Sequence, residues 1–154
     1  MLGTLLIAGG ISAFVGYTVL FNVRGRKAER ALAKARGTQN ATSFAEIFPT
    51  DAERVTARIL YPRLEELTFT GELPLLKEDR LFSTPSASST LPGEVATHDL
   101  DFDDEDLWEE VIAALKELRC EAPESVIASG LQGVETVGQL VTALAKVTSQ
   151  PDIQ

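Results

Sequence analysis

The densest group of potential ligands in the sequence is the acidic stretch 99–110, which holds eight carboxylates in twelve residues. The spacing of a calcium-binding loop, positions 1, 3, 5 and 12, is met there by Asp99, Asp101, Asp103 and Glu110. Position 6 of such a loop needs a glycine for its sharp turn, and here it is Asp104. Calcium binding is therefore the weaker interpretation. The stretch is better explained as the start of a helix with its caps.

The same residues suit an interaction surface. No Lys or Arg lies three or four residues after Asp103, Asp104 or Glu105, so their mutual repulsion is not relieved along the helix. A protein partner with a basic surface would relieve it. Trp108 is either an interface anchor, since Trp is enriched at hot spots, or the largest core residue. The predicted partner-binding residues are Asp104, Glu105, Asp106, Trp108, Glu109 and Glu110.

No set of residues indicates catalysis or a cofactor. The single histidine, His98, excludes a site that needs two imidazoles, and the single cysteine, Cys120, excludes an intramolecular disulfide. Cys120 is interpreted as a small core residue, because no histidine or helix N-terminus lies near it to activate the thiol. The chain has no glycine-rich phosphate loop and no nucleophile with a plausible base. We predict a protein that is not an enzyme.

The N-terminus carries the signal of a membrane anchor. Residues 2–23 are 22 uncharged residues, about 33 Å of helix against a hydrocarbon core of about 30 Å. A cleaved signal peptide is the alternative, but it has positive charge before an apolar run of roughly 7–15 residues. Here the run is longer and the charges follow it. We therefore expect a retained transmembrane helix over 2–23.

The charges after the anchor predict its orientation. Residues 24–36 contain one acid and six bases: Arg24, Arg26, Lys27, Arg30, Lys34 and Arg36. Because the whole chain carries −9 and this stretch +5, the remainder carries −14. The positive-inside rule places the basic stretch in the cytoplasm and the N-terminus outside, most simply in a bacterial inner membrane. The acidic remainder would repel phosphate, which excludes a nucleic-acid partner.

One face of the predicted anchor is formed by small residues, which let helices approach closely in lipid. It could pack on another transmembrane helix or on a second copy of the chain. Small residues are also common in membrane helices for other reasons, so both interpretations stay open. The face consists of Ala8, Gly9, Ser12, Ala13 and Gly16.

The remainder of the chain predicts an all-α fold. After a basic juxtamembrane helix (24–36) and a linker (37–43), we expect an acidic helical domain over 44–147, with a mobile Ser/Thr/Pro-rich loop at 83–97 and a tail at 148–154. A first helix begins at Asp51, with Thr50 or Asp51 as its cap and Val55, Ile59 and Leu60 at helical spacing. Pro62 should kink or interrupt it.

Three more helical segments follow in the sequence. One begins at Asp103 or Asp104 and has an acidic first turn, which the helix dipole favours. A short segment runs from Glu124 to Ser129, and a last helix from about Glu135 to Val147.

The stretch 103–147 resembles the second half of an acyl carrier protein. The matching motifs are Ala114-Leu115-Lys116-Glu117, Glu121-Ala122-Pro123 and Thr136-Val137-Gly138. The resemblance covers roughly 100 residues if the helix from Asp51 is the first of four. It implies a four-helix arrangement behind the membrane anchor.

The departures from this family concern its chemistry. The family attaches phosphopantetheine to a serine at the start of the second helix, and Glu105 occupies that position here. A glutamate has no hydroxyl to accept a phosphodiester, so the resemblance implies a degenerate domain without cofactor or carrier role. We expect a single-pass membrane protein that presents an acidic docking domain to a cytoplasmic partner. The alternative is a structural accessory subunit of a membrane complex.

Overall fold

The described part of the chain is mostly helical, and its helices are joined by turns, irregular segments and two isolated bridges. The structure is a computed structural model that describes residues 23, 26–68, 70–82 and 99–149. These residues form six helices and no strand: α1 (26–36), α2 (Ala41–Glu46), α3 (Asp51–Glu66), α4 (Asp104–Glu117), α5 (Glu124–Gly130) and α6 (Val137–Thr148). The predicted all-α class is confirmed.

Side-chain caps explain where the helices begin. Thr50 caps α3 and Thr136 caps α6, and in each case the side-chain oxygen at N3 accepts a hydrogen bond from the backbone amide of the cap residue. Asp103 caps α4, where its carboxylate accepts a hydrogen bond from the Glu105 amide. Asn40 caps α2 in the same reciprocal manner. The first turn of α2 therefore occupies the end of the stretch interpreted as a linker.

The buried face of α3 differs from the predicted one. Ala57, Leu60 and Leu64 are fully buried, whereas Val55 is 46% exposed. At about 100° per residue, Val55 lies nearly opposite the stripe that these three residues form. Val55, which helical spacing groups with Ile59 and Leu60, therefore does not lie on the core face, and Ile59 is only half-buried.

Pro62 does not interrupt α3, which continues unbroken from Asp51 to Glu66. Pro62 lies on the exposed face of the helix. Proline deprives the carbonyl four residues earlier of its donor, and that residue, Arg58, is also exposed. Water can solvate this carbonyl, so the predicted break does not occur.

α2 packs its aromatic side chains onto α3. The rings of Phe44 and Tyr61 have centroids 5.1 Å apart, and Phe44 and Phe48 meet edge to face at 5.3 Å. Ile47, which lies between these two phenylalanines in the chain, is 48% exposed.

Residues 77–82 link the starts of α4 and α6. The carbonyl of Asp79 accepts a hydrogen bond from the Val137 amide at 2.9 Å, and that of Lys77 accepts one from the Gly138 amide at 2.8 Å. The carbonyls of residues 80 and 81 accept from the amides of residues 100 and 102, just before α4. This segment fixes the N-terminal end of α4 against the bundle.

Within the described ranges, none of the helices has the length and hydropathy needed to cross a bilayer. The predicted anchor at 2–23 lies outside those ranges except for Val23, and so does its small-residue face of Ala8, Gly9, Ser12, Ala13 and Gly16. The loop at 83–97 and the tail after Ser149 also lie outside them.

Candidate functional site

The first half of α4 exposes carboxylates to solvent. Asp104, Glu105, Asp106 and Glu109 are all exposed. Among the residues that the structure describes, none of these four carboxylates makes a hydrogen bond or an ion pair. Their side chains carry like charge within two helical turns. The site therefore keeps an uncompensated negative field at its surface.

Glu110 has a different environment from its neighbours. Its carboxylate lies 3.0 Å from Arg63 of α3, and a second nitrogen of the same guanidinium lies 3.0 Å from Glu117. Hydrogen bonds to Glu117 and Glu110 raise the pKa of Arg63. Arg63 of α3 therefore neutralises part of the acidic charge of α4. The spacing of residues along α4 could not show this, because Arg63 belongs to another helix.

An apolar pocket of about 290 Å³ adjoins the acidic turns. One wall comes from Asp104, Leu107, Trp108 and Val111, which recur every three or four residues and so share one face of α4. The opposite wall is supplied by α5, the turn after it, α6 and the end of the 77–82 segment: Ala128, Leu131, Val134, Leu140, Leu81 and Phe82.

Trp108 lies between the core and the surface, and its role as an interface anchor stays a prediction. It is half-buried and packs against the hydrophobic core, and it also lines the pocket. Asp104, one turn earlier, lies at the same pocket, so it places a carboxylate beside the apolar wall. An apolar side chain entering the pocket would meet the indole while basic neighbours met the acidic turns.

The four residues of the calcium hypothesis have separate roles. Asp99 lies in a bridge with Arg80, Asp101 has a left-handed backbone (φ 53°), Asp103 caps α4 and Glu110 binds Arg63. Across residues 26–68, 70–82 and 99–149, no three Asp, Glu, His or Cys side chains are grouped so that they could hold a metal ion. The structure does not bring the calcium candidates together.

The remaining candidate residues contribute little to this site. Cys120 is half-buried and packs against the core, and His98 lies outside the described ranges. Glu105, which the predicted resemblance places at the acyl-carrier serine, is exposed at the second position of α4.

A second and larger groove, of about 860 Å³, runs between α6 and the connection from α2 to α3. Glu53 lies in its wall and is buried; one carboxylate oxygen accepts hydrogen bonds from Thr50 and the other from Thr142 at 2.9 Å. The hydrogen bond from the Thr50 side chain is the main cause of a lowered pKa for Glu53, and burial opposes it. This carboxylate ties α3 to α6 and so serves the fold.

Sequence reasoning missed several residues that form the candidate site. Ala128, Leu131 and Val134 line the pocket, yet nothing in their local pattern separates them from ordinary turn and helix residues. Arg63 could not be assigned to the site from the sequence, because its acidic partners are 47 and 54 residues away. The sequence shows only that Arg63 is a basic residue near the end of α3.

Comparisons of this chain with protein-family models, with curated proteins and with solved structures found no match. The resemblance to acyl carrier proteins therefore stays a prediction based on its short motifs.

Proposed function

We propose that this chain is a single-pass membrane protein whose cytoplasmic helical domain docks a protein partner, without carrier chemistry or catalysis. The observation that supports this function is the apolar pocket at Trp108, which has the uncompensated carboxylate of Asp104 in its wall. Glu105 and Glu109 add two exposed carboxylates on the same two turns of α4. The anchor part of the proposal comes from the uncharged run 2–23 and the basic residues after it.

The chemistry of the site specifies the partner. A pocket of about 290 Å³ accommodates one large aliphatic or aromatic side chain, and the carboxylates at its edge favour flanking Lys or Arg. The apolar side chain of the partner that enters the pocket would supply most of the affinity. The charges would mainly raise the association rate and select the partner, and their effect would weaken with salt.

The carrier role is absent from this proposal for a chemical reason. Glu105 offers no hydroxyl for a phosphodiester at the position where the resemblance would need one. Intact-mass measurement after incubation with a phosphopantetheinyl transferase is expected to show no added mass. A modified Ser or Thr peptide from the domain would contradict this expectation.

The test of docking begins with capture from detergent-solubilised membranes and identification by mass spectrometry. Affinity for the captured protein is then measured for two variants. E105Q/E109Q removes two exposed charges that make no contact in the described residues. Ala128→Leu fills the pocket from an exposed position on α5. Ser129→Leu, exposed on the same helix but not part of the pocket wall, is the matched control.

We expect Ala128→Leu to weaken binding at all salt concentrations and Ser129→Leu to leave it unchanged. E105Q/E109Q should weaken binding at low salt and have less effect at moderate salt. Affinity that responds to neither substitution nor salt would contradict the docking function.

The structural accessory subunit is the competing function. Replacing residues 2–23 by an unrelated membrane span distinguishes the two. Docking should survive the replacement, whereas assembly of a complex held together through the small-residue face should be lost.

A further inference from the structure

α1 is part of the folded domain rather than a tether. Its inward face is formed by Glu29, Leu32, Ala33 and Arg36. The Glu29 carboxylate is buried and accepts hydrogen bonds from the Thr70 amide at 2.8 Å and from the Thr70 hydroxyl at 3.0 Å. These contacts hold the helix against the segment that follows α3.

The C-terminal end of α1 is held by a second buried contact. The Arg36 guanidinium pairs with both oxygens of the Asp79 carboxylate and also donates to the Pro74 carbonyl at 2.7 Å. The Arg36 side chain is 1% exposed and that of Asp79 is 0% exposed. Because both ends of the described helix are fixed, its outward face has a set orientation relative to the domain.

That outward face carries a stripe of positive charge. Arg26, Lys27, Arg30 and Lys34 are all exposed. At about 100° per residue they fall within an arc of about 100°, and the stripe extends over about 12 Å of helix. No ion pair of these four side chains occurs within the described residues. The stripe therefore offers four solvated cations on a rigid support.

We propose that a binding surface for anionic lipid headgroups is formed by Arg26, Lys27, Arg30 and Lys34. This surface holds the cytoplasmic helical domain in one orientation against the membrane. This inference rests on the membrane location in the proposed function, since the stripe begins three residues after the uncharged run. Charge complementarity favours this occupant: basic residues close to an anionic leaflet each contribute about 1 kcal/mol.

The rest of the molecule makes the orientation matter. The chain outside 24–36 carries −14, and an anionic membrane repels it. Attraction of the stripe and repulsion of the acidic body together turn the domain toward one orientation at the membrane. A flexible linker between α1 and the domain would not pass this turning force on. The contacts of Glu29 and Arg36 transmit it because they join α1 to the domain.

The experiment uses the full chain in vesicles of phosphatidylcholine, with or without phosphatidylglycerol. A fluorophore is attached at Ala31→Cys, an exposed position beside the stripe, in a Cys120→Ser background. Lipids with a nitroxide on the headgroup quench it according to proximity. We expect stronger quenching when phosphatidylglycerol is present, and this increase should disappear at high salt.

Two matched double variants locate the effect. R30Q/K34Q removes two charges from the stripe but keeps the basic residues nearest the predicted anchor. R58Q/K116Q removes two exposed charges from other helices. We expect R30Q/K34Q to lose most of the phosphatidylglycerol-dependent increase and R58Q/K116Q to retain it.

Equal quenching in both lipids, or equal loss in both double variants, would overturn the proposal. So would an oligomeric contact between copies that R30Q/K34Q abolishes in phosphatidylcholine alone, because the stripe would then bind protein. Release of the chain from vesicles by an alkaline wash would contradict the predicted membrane anchor. It would not contradict lipid binding by the stripe, because that is judged from the difference in quenching between the two lipid compositions.

Discussion

Arg36 and Asp79, 43 residues apart in the sequence, form a bidentate ion pair that is almost completely buried. Asp79 also accepts a hydrogen bond from the Leu76 amide at 2.8 Å, and its own carbonyl accepts one from Val137 at the start of α6. One residue thus connects α1, the loop after α3 and the last helix. The pair makes the basic helix a structural element of the domain.

Breaking this pair should be costly. Asp79→Asn leaves the Arg36 guanidinium buried without a counter-charge, and we expect a loss of about 3–5 kcal/mol in the free energy of unfolding. Urea denaturation in detergent, followed by Trp108 fluorescence and circular dichroism, measures it. Lys34→Met, an exposed change on the same helix, is the control and should change stability little. R36M/D79N removes the unpaired charge and keeps an acceptor for the Leu76 amide, so it should recover part of the loss. A double variant as unstable as Asp79→Asn would contradict the role of the unpaired charge.

The stability of the domain should depend on pH through Glu53. Its pKa in the folded state is below the ordinary value of 4.5, mainly because of the hydrogen bond from the Thr50 side chain. Its contribution is therefore fully present above that value and is lost as the pH falls through the folded-state pKa. We expect Glu53→Gln to destabilise at neutral pH, with the difference from wild type shrinking in acid. Urea unfolding across a pH series measures this, with exposed Glu46→Gln as control. A difference that is the same at every pH would argue against the ionised carboxylate.

The Arg63–Glu110 pair should contribute modestly, because both side chains are about a quarter to a third exposed. A double-mutant cycle with Arg63→Gln and Glu110→Gln is expected to give a coupling energy of about 0.2–1 kcal/mol. The same cycle with Glu105→Gln, which lies in the unpaired turn, should give none. Equal coupling in the two cycles would show that Arg63 responds to the overall charge of α4 rather than to its contact.

Gly138 should tolerate no side chain despite its helical position. Replacing glycine by alanine inside a helix ordinarily stabilises by about 0.5–1 kcal/mol. Here a Cβ would lie 2.9 Å from the Lys77 carbonyl oxygen, which the Gly138 amide binds. Gly138→Ala is therefore expected to lower the free energy of unfolding. The reverse change Ala143→Gly, on the same helix, measures the difference in helix propensity between alanine and glycine alone. A stabilised Gly138→Ala variant would show that the 77–82 segment can shift at little cost.

Local chemistry explains why much of the helical pattern could be predicted. Thr50, Asp103 and the acidic first turn of α4 mark helix starts because a cap needs only the next three residues. The stripe of Leu107, Val111 and Leu115 is visible from spacing, and all three residues are buried. These features arise within one helix, so the sequence alone determines them.

Interactions between distant segments needed the tertiary structure. Val55 faces solvent and Pro62 is tolerated because the packing of α2, α4 and α6 decides which face of α3 is buried. The Arg36–Asp79 pair and the pocket at Trp108 join residues far apart in the chain. Sequence by itself determined the helical class, the starts of α3 and α4 and the charge distribution. Only the fold decided which charges are paired and where an apolar cavity opens, because both depend on contacts across the bundle.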